Sequence, residues 1–171
     1  MSTGINLFLT LMACTVMSTT AVAASNRPAD VWNYYHFDGV GFKAGPSVDS
    51  SAFIAIRERV QPVVVLNQAA NIEPIGLPKD SGVIAGICYF KSSGGKLGNS
   101  SGYVPCPRTP LLISSEGKQL VTVQTDEHGY FIAVLPAGKY MIGSGPLTAE
   151  ISIDHGITTL VPLLAGKRMV D

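Results

Sequence analysis

The stretch "QTDEHGYFIAVLPAGKY" (residues 124–140) decides the fold. Its first half sets Asp126, Glu127 and His128 side by side, the residue types of metal sites and acid–base catalysis. The spacing argues for a turn instead. Asp126 stands three residues before Gly129, so its carboxylate takes backbone N–H groups while the glycine supplies a positive φ without a Cβ clash. Glu127 and His128 are then the exposed corner. After the turn, Phe131, Ala133 and Leu135 alternate onto one face of a strand, and Pro136 with Gly138 makes the next reversal.

Outward from this stretch the same grammar continues. Glycine (18) and proline (11) punctuate the chain every few residues, and the segments between them are short and rich in Val, Ile, Thr, Phe and Tyr. Strands are predicted at "GVIAGICYF" (82–90), "PLLIS" (110–114), "KQLVTVQT" (118–125), "YFIAVL" (130–135), "KYMIG" (139–143), "LTAEISI" (147–153) and "ITTLVPLL" (157–164). In the first, Ile84, Gly86 and Cys88 share a face. In the third, Val121 and Val123 alternate against Leu120 and Thr122. In the sixth, Leu147, Ala149, Ile151 and Ile153 face in while Thr148, Glu150 and Ser152 face out, the mark of a sheet with one wet face. No long window repeats apolar residues at helical spacing, so the class is all-β.

Residues 81–165 resemble the carboxypeptidase regulatory-like, transthyretin-like domain. The family's "T-D-x-x-G-x-F" turn and "L-P-x-G-x-Y" reversal are matched by Thr125, Asp126, Gly129, Phe131, Leu135, Pro136, Gly138 and Tyr140. The resemblance implies an antiparallel Greek-key sandwich of about seven strands, used as a non-catalytic accessory module. The transthyretin-like hydrolases of ureide metabolism, similar in fold, end in Tyr-Arg-Gly-Ser; the tail "LLAGKRMVD" lacks it. The similar B-repeats of collagen adhesins form a Lys–Asn isopeptide, and no asparagine follows Asn99 here.

Three regions are expected. Residues 1–23 read as a signal peptide: an apolar run, "INLFLTLMACTVM", gives way to small residues at Ala21 and Ala23, with cleavage between Ala23 and Ala24. Two alternatives are a lipoprotein, with Cys14 of "LMAC" as the lipidated residue, and an uncleaved anchor. No later segment is long and apolar enough to span a bilayer. Residues 24–80 read as an N-terminal β extension and linker, expected to add strands or a small β subdomain against the sandwich, and 81–171 as the sandwich. Export to the periplasm or cell surface places Cys88 and Cys106 in an oxidising compartment and predicts a disulfide. It would close a loop of about 19 residues, on the order of 3 kcal/mol in the chain-entropy model.

Composition narrows the function. Twelve basic and 12 acidic residues leave no basic patch for nucleic acid. "GGK", "PAGK" and "LAGK" lack the spacing of phosphate loops, neither cysteine has a partner at metal-ligand spacing, and no nucleophile sits in a recognisable catalytic context. No cofactor, metal or enzymatic activity is expected. Alternating strands put "TDEHG" and "DHG" (154–156) at opposite ends of the sandwich, so His128 and His155 should not share a ligand. The end carrying the long 91–109 loop is the candidate binding end, near Tyr103 and Arg108. The aromatic run "WNYYHF" is the other candidate surface: alternation puts Trp32 and Tyr34 on one face, Tyr35 and Phe37 on the other. The expected function is an exported module that binds a protein partner or serves a structural role; the alternative is a carbohydrate-binding accessory module.

Overall fold

The computed structural model describes residues 31–45, 52–66, 71–94, 102–144 and 147–170. The expected signal peptide, the Ala23–Ala24 cleavage point and Cys14 lie outside the described residues. Twelve strands and no helix occur among the described residues. They are β1 (Asn33–Phe37), β2 (Phe42–Ala44), β3 (Phe53–Ile56), β4 (Val63–Val65), β5 (Ser81–Gly94), β6 (Gly102–Pro105), β7 (Pro110–Ser115), β8 (Lys118–Gln124), β9 (Tyr130–Pro136), β10 (Gly138–Ser144), β11 (Leu147–Ile153) and β12 (Thr158–Val170).

The strands form three layers. The outer sheet of the sandwich has the order β11-β10-β7-β8, and β5 is the spine of the middle sheet. On one edge β5 pairs with β12; on the other it pairs first with β9 and then with β6. The third sheet, β2-β1-β3-β4, comes from the N-terminal extension. All seven strands expected after residue 81 are present. The stretch expected as one long loop contains a further strand, β6, and β5 runs on to Gly94 to meet it.

One pairing departs from an all-antiparallel sandwich: β12 lies parallel to β5, Thr158 beside Val83 and Leu163 beside Cys88. Direction explains it. The chain reverses at each successive sandwich strand, so the first and the seventh run the same way, and the closing strand lands on the first. A bulge at Ala165, followed by Gly166 at φ +140°, lets β12 keep pace with β5 beyond Leu164.

Every residue of β5 from Ser81 to Tyr89 is buried, which requires cover on both faces. Ile84 and Cys88 face the outer sheet, with Leu111, Ile113, Phe131, Ile142 and Ile153. Ala85, Ile87 and Tyr89 face the extension, packing with Phe37, Ile54 and Tyr130. Tyr130 also fixes the layers in register, its hydroxyl donating to the Ala52 carbonyl at 2.8 Å. The far side of the extension sheet carries its own small cluster of Phe53, Ala55 and Val65, covered in part by Trp32 and Ile72. Gly86 is where the sandwich is tightest. A Cβ there would overlap the Val161 carbonyl oxygen and lie 2.7 Å from Phe131 Cζ, so only glycine lets β12 and the Phe131 ring close on β5 at once.

Candidate functional site

The acidic corner is built as a turn. Asp126 Oδ1 accepts the N–H groups of His128 and Tyr130, both at 2.8 Å, and the Asp126 N–H donates to the Tyr130 carbonyl at 2.8 Å. Gly129 sits at φ +80°, where a Cβ would lie 2.8 Å from both the Cys88 oxygen and Pro105 Cβ. The carboxylate is therefore committed to backbone donors. Glu127 pairs with Arg108 across the corner, both side chains largely exposed, an arrangement worth little in water.

Beneath the corner, Thr125 is buried and doubly bonded. Its hydroxyl donates to the Cys106 carbonyl at 2.6 Å and accepts the Thr109 N–H at 2.8 Å, while the Thr125 N–H donates to the Thr109 carbonyl at 3.0 Å. This staples the 106–109 segment, which crosses from the middle sheet to the outer one, onto the end of β8. Arg108 holds φ +50° in that crossing.

The histidines are dispersed. Cys88 N–H donates to the Gly129 carbonyl, and Gly156 N–H donates to the Ser81 carbonyl, so the two turns flank opposite ends of the Ser81–Cys88 segment of β5. At about 3.3 Å per residue that separation is about 23 Å. His36 sits on the extension sheet, its Nδ1 3.0 Å from the Gly45 carbonyl oxygen. No group of three or more His, Cys, Asp or Glu side chains suited to a metal ion occurs among the described residues.

Cys88 and Cys106 stand directly opposite each other. The β5–β6 register pairs Tyr89 with Pro105, and the Cys106 N–H donates to the Cys88 carbonyl at 2.9 Å. The expected disulfide is not formed: both cysteines are free and buried. Burial, together with the hydrogen bond to Cys106, pushes the Cys88 thiol up to about 12. Burial also raises Cys106, while the hydrogen bond from Cys88 favours its thiolate.

The candidate aromatic residues separate by layer. Tyr103 packs inside, at 4.8 Å from the Phe37 ring and 6.1 Å from the Tyr89 ring, and burial raises its pKa. Trp32 is half-buried on the outer cluster, and Tyr34, 37% exposed, meets Phe53 edge-on at 5.4 Å. A surface depression missed by the sequence reading lies on the outer sheet, lined by Ser114, Glu116, Lys139, Met141 and Glu150. Strand alternation marks Met141 and Glu150 as outward-facing, but only the register Met141–Ser114 and Met141–Glu150 brings the three into a row.

The most exposed element was also missed. Among the described residues β8 pairs only with β7, and β9 only with β5, so each presents an open edge on the same side of the sandwich. Because Thr125 N–H turns toward Thr109, alternation directs the N–H and C=O groups of Gln124 and Thr122 away from β7. Residues 119–125 carry no charge, proline or glycine, the devices that blunt an edge by composition. A bulge at Leu120 ends the regular pairing at Val121, and both of these apolar side chains are exposed, at 55% and 37%.

Fold and site define an all-β sandwich protein. No family model and no curated protein matches the chain. Solved structures similar to it include the following two. One is the minor pilin GBS52 of the gram-positive pathogen Streptococcus agalactiae, with 13% identity over 76% of this chain and a TM-score of 0.39. The other is a DUF3823 family protein of Parabacteroides merdae, with 17% identity over 51% of this chain and a TM-score of 0.33. The chain spans 66% and 46% of their respective lengths.

Proposed function

We propose that this chain is an exported, non-catalytic β-sandwich module that acts by holding an extended segment of a protein partner. The observation that carries the reading is the uncharged open edge of β8, from Val121 to Gln124, beside the open edge of β9. An unpaired edge offers a row of backbone donors and acceptors, and an added strand recovers them while covering Leu120 and Val121. The groups that chemistry would use support the same reading: Asp126, Thr125 and Tyr130 are spent on backbone partners that hold the corner and the layers.

The test is a photo-crosslinking residue placed at Thr122 in the full chain, activated in the native cell. A protein partner should be captured in stoichiometric yield, and capture should be lost when a second change, Gln124→Pro, removes an outward donor without breaking a bond to β7. Capture that persists in the proline variant would overturn the edge as the binding surface. Retention of a glycan that is lost in Trp32→Ala, with no protein captured, would overturn the function in favour of carbohydrate binding.

A further inference from the structure

We infer that Cys88 and Cys106 are a gated disulfide site: they join while the β5–β6 hairpin is open, and the closed sheet then shields the bond from exchange. Three observations carry this. The residues are cross-strand neighbours, one step beyond the Tyr89–Pro105 pair, and their two thiols are hydrogen-bonded to each other. Both side chains are enclosed, Cys88 at 0% and Cys106 at 3% exposure, inside the core shared with Leu111, Phe131 and Leu163. The backbone that would have to move is pinned, Cys106 N–H to Cys88 and the Thr125 hydroxyl to the Cys106 carbonyl. An oxidant therefore reaches neither sulfur unless the 106–109 crossing lifts away.

The chemistry is thiol–disulfide exchange with an external disulfide. In the open hairpin the Cys106 thiolate attacks one sulfur of oxidised glutathione and expels a glutathione thiolate. The Cys88 thiolate then attacks the Cys106 sulfur of the mixed disulfide and expels the second. The two cysteines lose two electrons and two protons, and the glutathione disulfide gains the electrons as two thiols. Cys106 leads because it lies next to the exposed Pro107–Arg108 turn, and Cys88, deeper in the sheet, resolves.

The test compares two preparations of the full chain in oxidised glutathione. One is reduced and native; the other is refolding from urea. Non-reducing mass spectrometry follows the loss of two hydrogens. The refolding sample should form the Cys88–Cys106 bond. The native sample should form it more slowly by a factor on the order of 10³ or more, the excess of closed over open chain in a stable fold. Thr125→Val, which removes the staple on Cys106, should speed the native reaction without changing that of the urea-unfolded chain. Equal rates in the two preparations would overturn the gate. A refolded chain that keeps two free thiols, or stops at a glutathione adduct, would overturn the site.

Discussion

Truncating Ile54 to alanine tests whether the extension and the sandwich share one core. Ile54 lies in β3, is fully buried, and belongs to the cluster formed with Ala85, Ile87 and Tyr89 of β5. The change removes three carbons. At about 0.8 kcal/mol each the transfer loss is about 2.4 kcal/mol, and the cavity left between two sheets raises the total to about 3–4 kcal/mol. For a chain of this size that lowers Tm by about 10 °C. Two probes separate the layers. Trp32, the only tryptophan, reports on the extension, and far-UV circular dichroism is dominated by the sandwich strands. With a shared core both transitions move together and stay coincident. A Trp32 transition that shifts alone, while the dichroism curve remains at its wild-type midpoint, would show two independent units and refute the three-layer reasoning.

Three other outcomes follow from the same geometry. Gly129→Ala forces a Cβ into the Cys88 carbonyl and Pro105 at positive φ; urea unfolding should show a loss of about 2–3 kcal/mol, whereas His128→Ala should stay within about 0.5 kcal/mol. Equal costs would contradict the turn assignment. Tyr130→Phe leaves the Ala52 carbonyl without its donor and should cost about 1–2 kcal/mol; no measurable cost would mean that the layers are not tied there. The third concerns pH. Hydrogen bonds from the Gly41 and Val40 amides, then the charge of Lys43, hold the Asp38 carboxyl below its ordinary value. A depressed folded pKa means that its contribution is present above the unfolded value of about 3.9 and is lost as pH falls through the folded one. The amide shifts of Val40 and Gly41 should titrate with a midpoint below 3.9, and Asp38→Asn should abolish that titration; a midpoint at or above 3.9 would be the contrary result.

The parts of this structure that were readable in the sequence are those fixed by neighbours along the chain. Asp126 and Gly129 specify their turn within four residues, and alternation in 130–135 and 147–153 separates core from solvent without reference to the rest of the fold. β6 was missed because "GYVP" is too short to show a period and sits among Gly, Ser and Pro. That the extension packs against the sandwich was expected, but which residues cover β5 was hidden for another reason. A continuous apolar run announces burial on both faces, but Ala85, Ile87 and Tyr89 meet Phe37 and Ile54 from a distant segment, and only the folded chain pairs them. The candidate site divides the same way. The Asp126 turn is local chemistry, whereas an open edge depends on strand order, and nothing in "KQLVTVQ" states that β8 has one neighbour rather than two.

The central place of β5 bears on the order in which the molecule is made. Its last partner, β12, is also the last described strand to leave the ribosome, and no other described strand occupies that edge of β5. Until β12 arrives, the buried spine of the sandwich has one side unclosed, in an architecture dominated by contacts distant in sequence and hence slow to assemble. A nascent chain of this kind stays unfolded late. Such a delay leaves Cys88 within reach of an oxidant until the core around it closes.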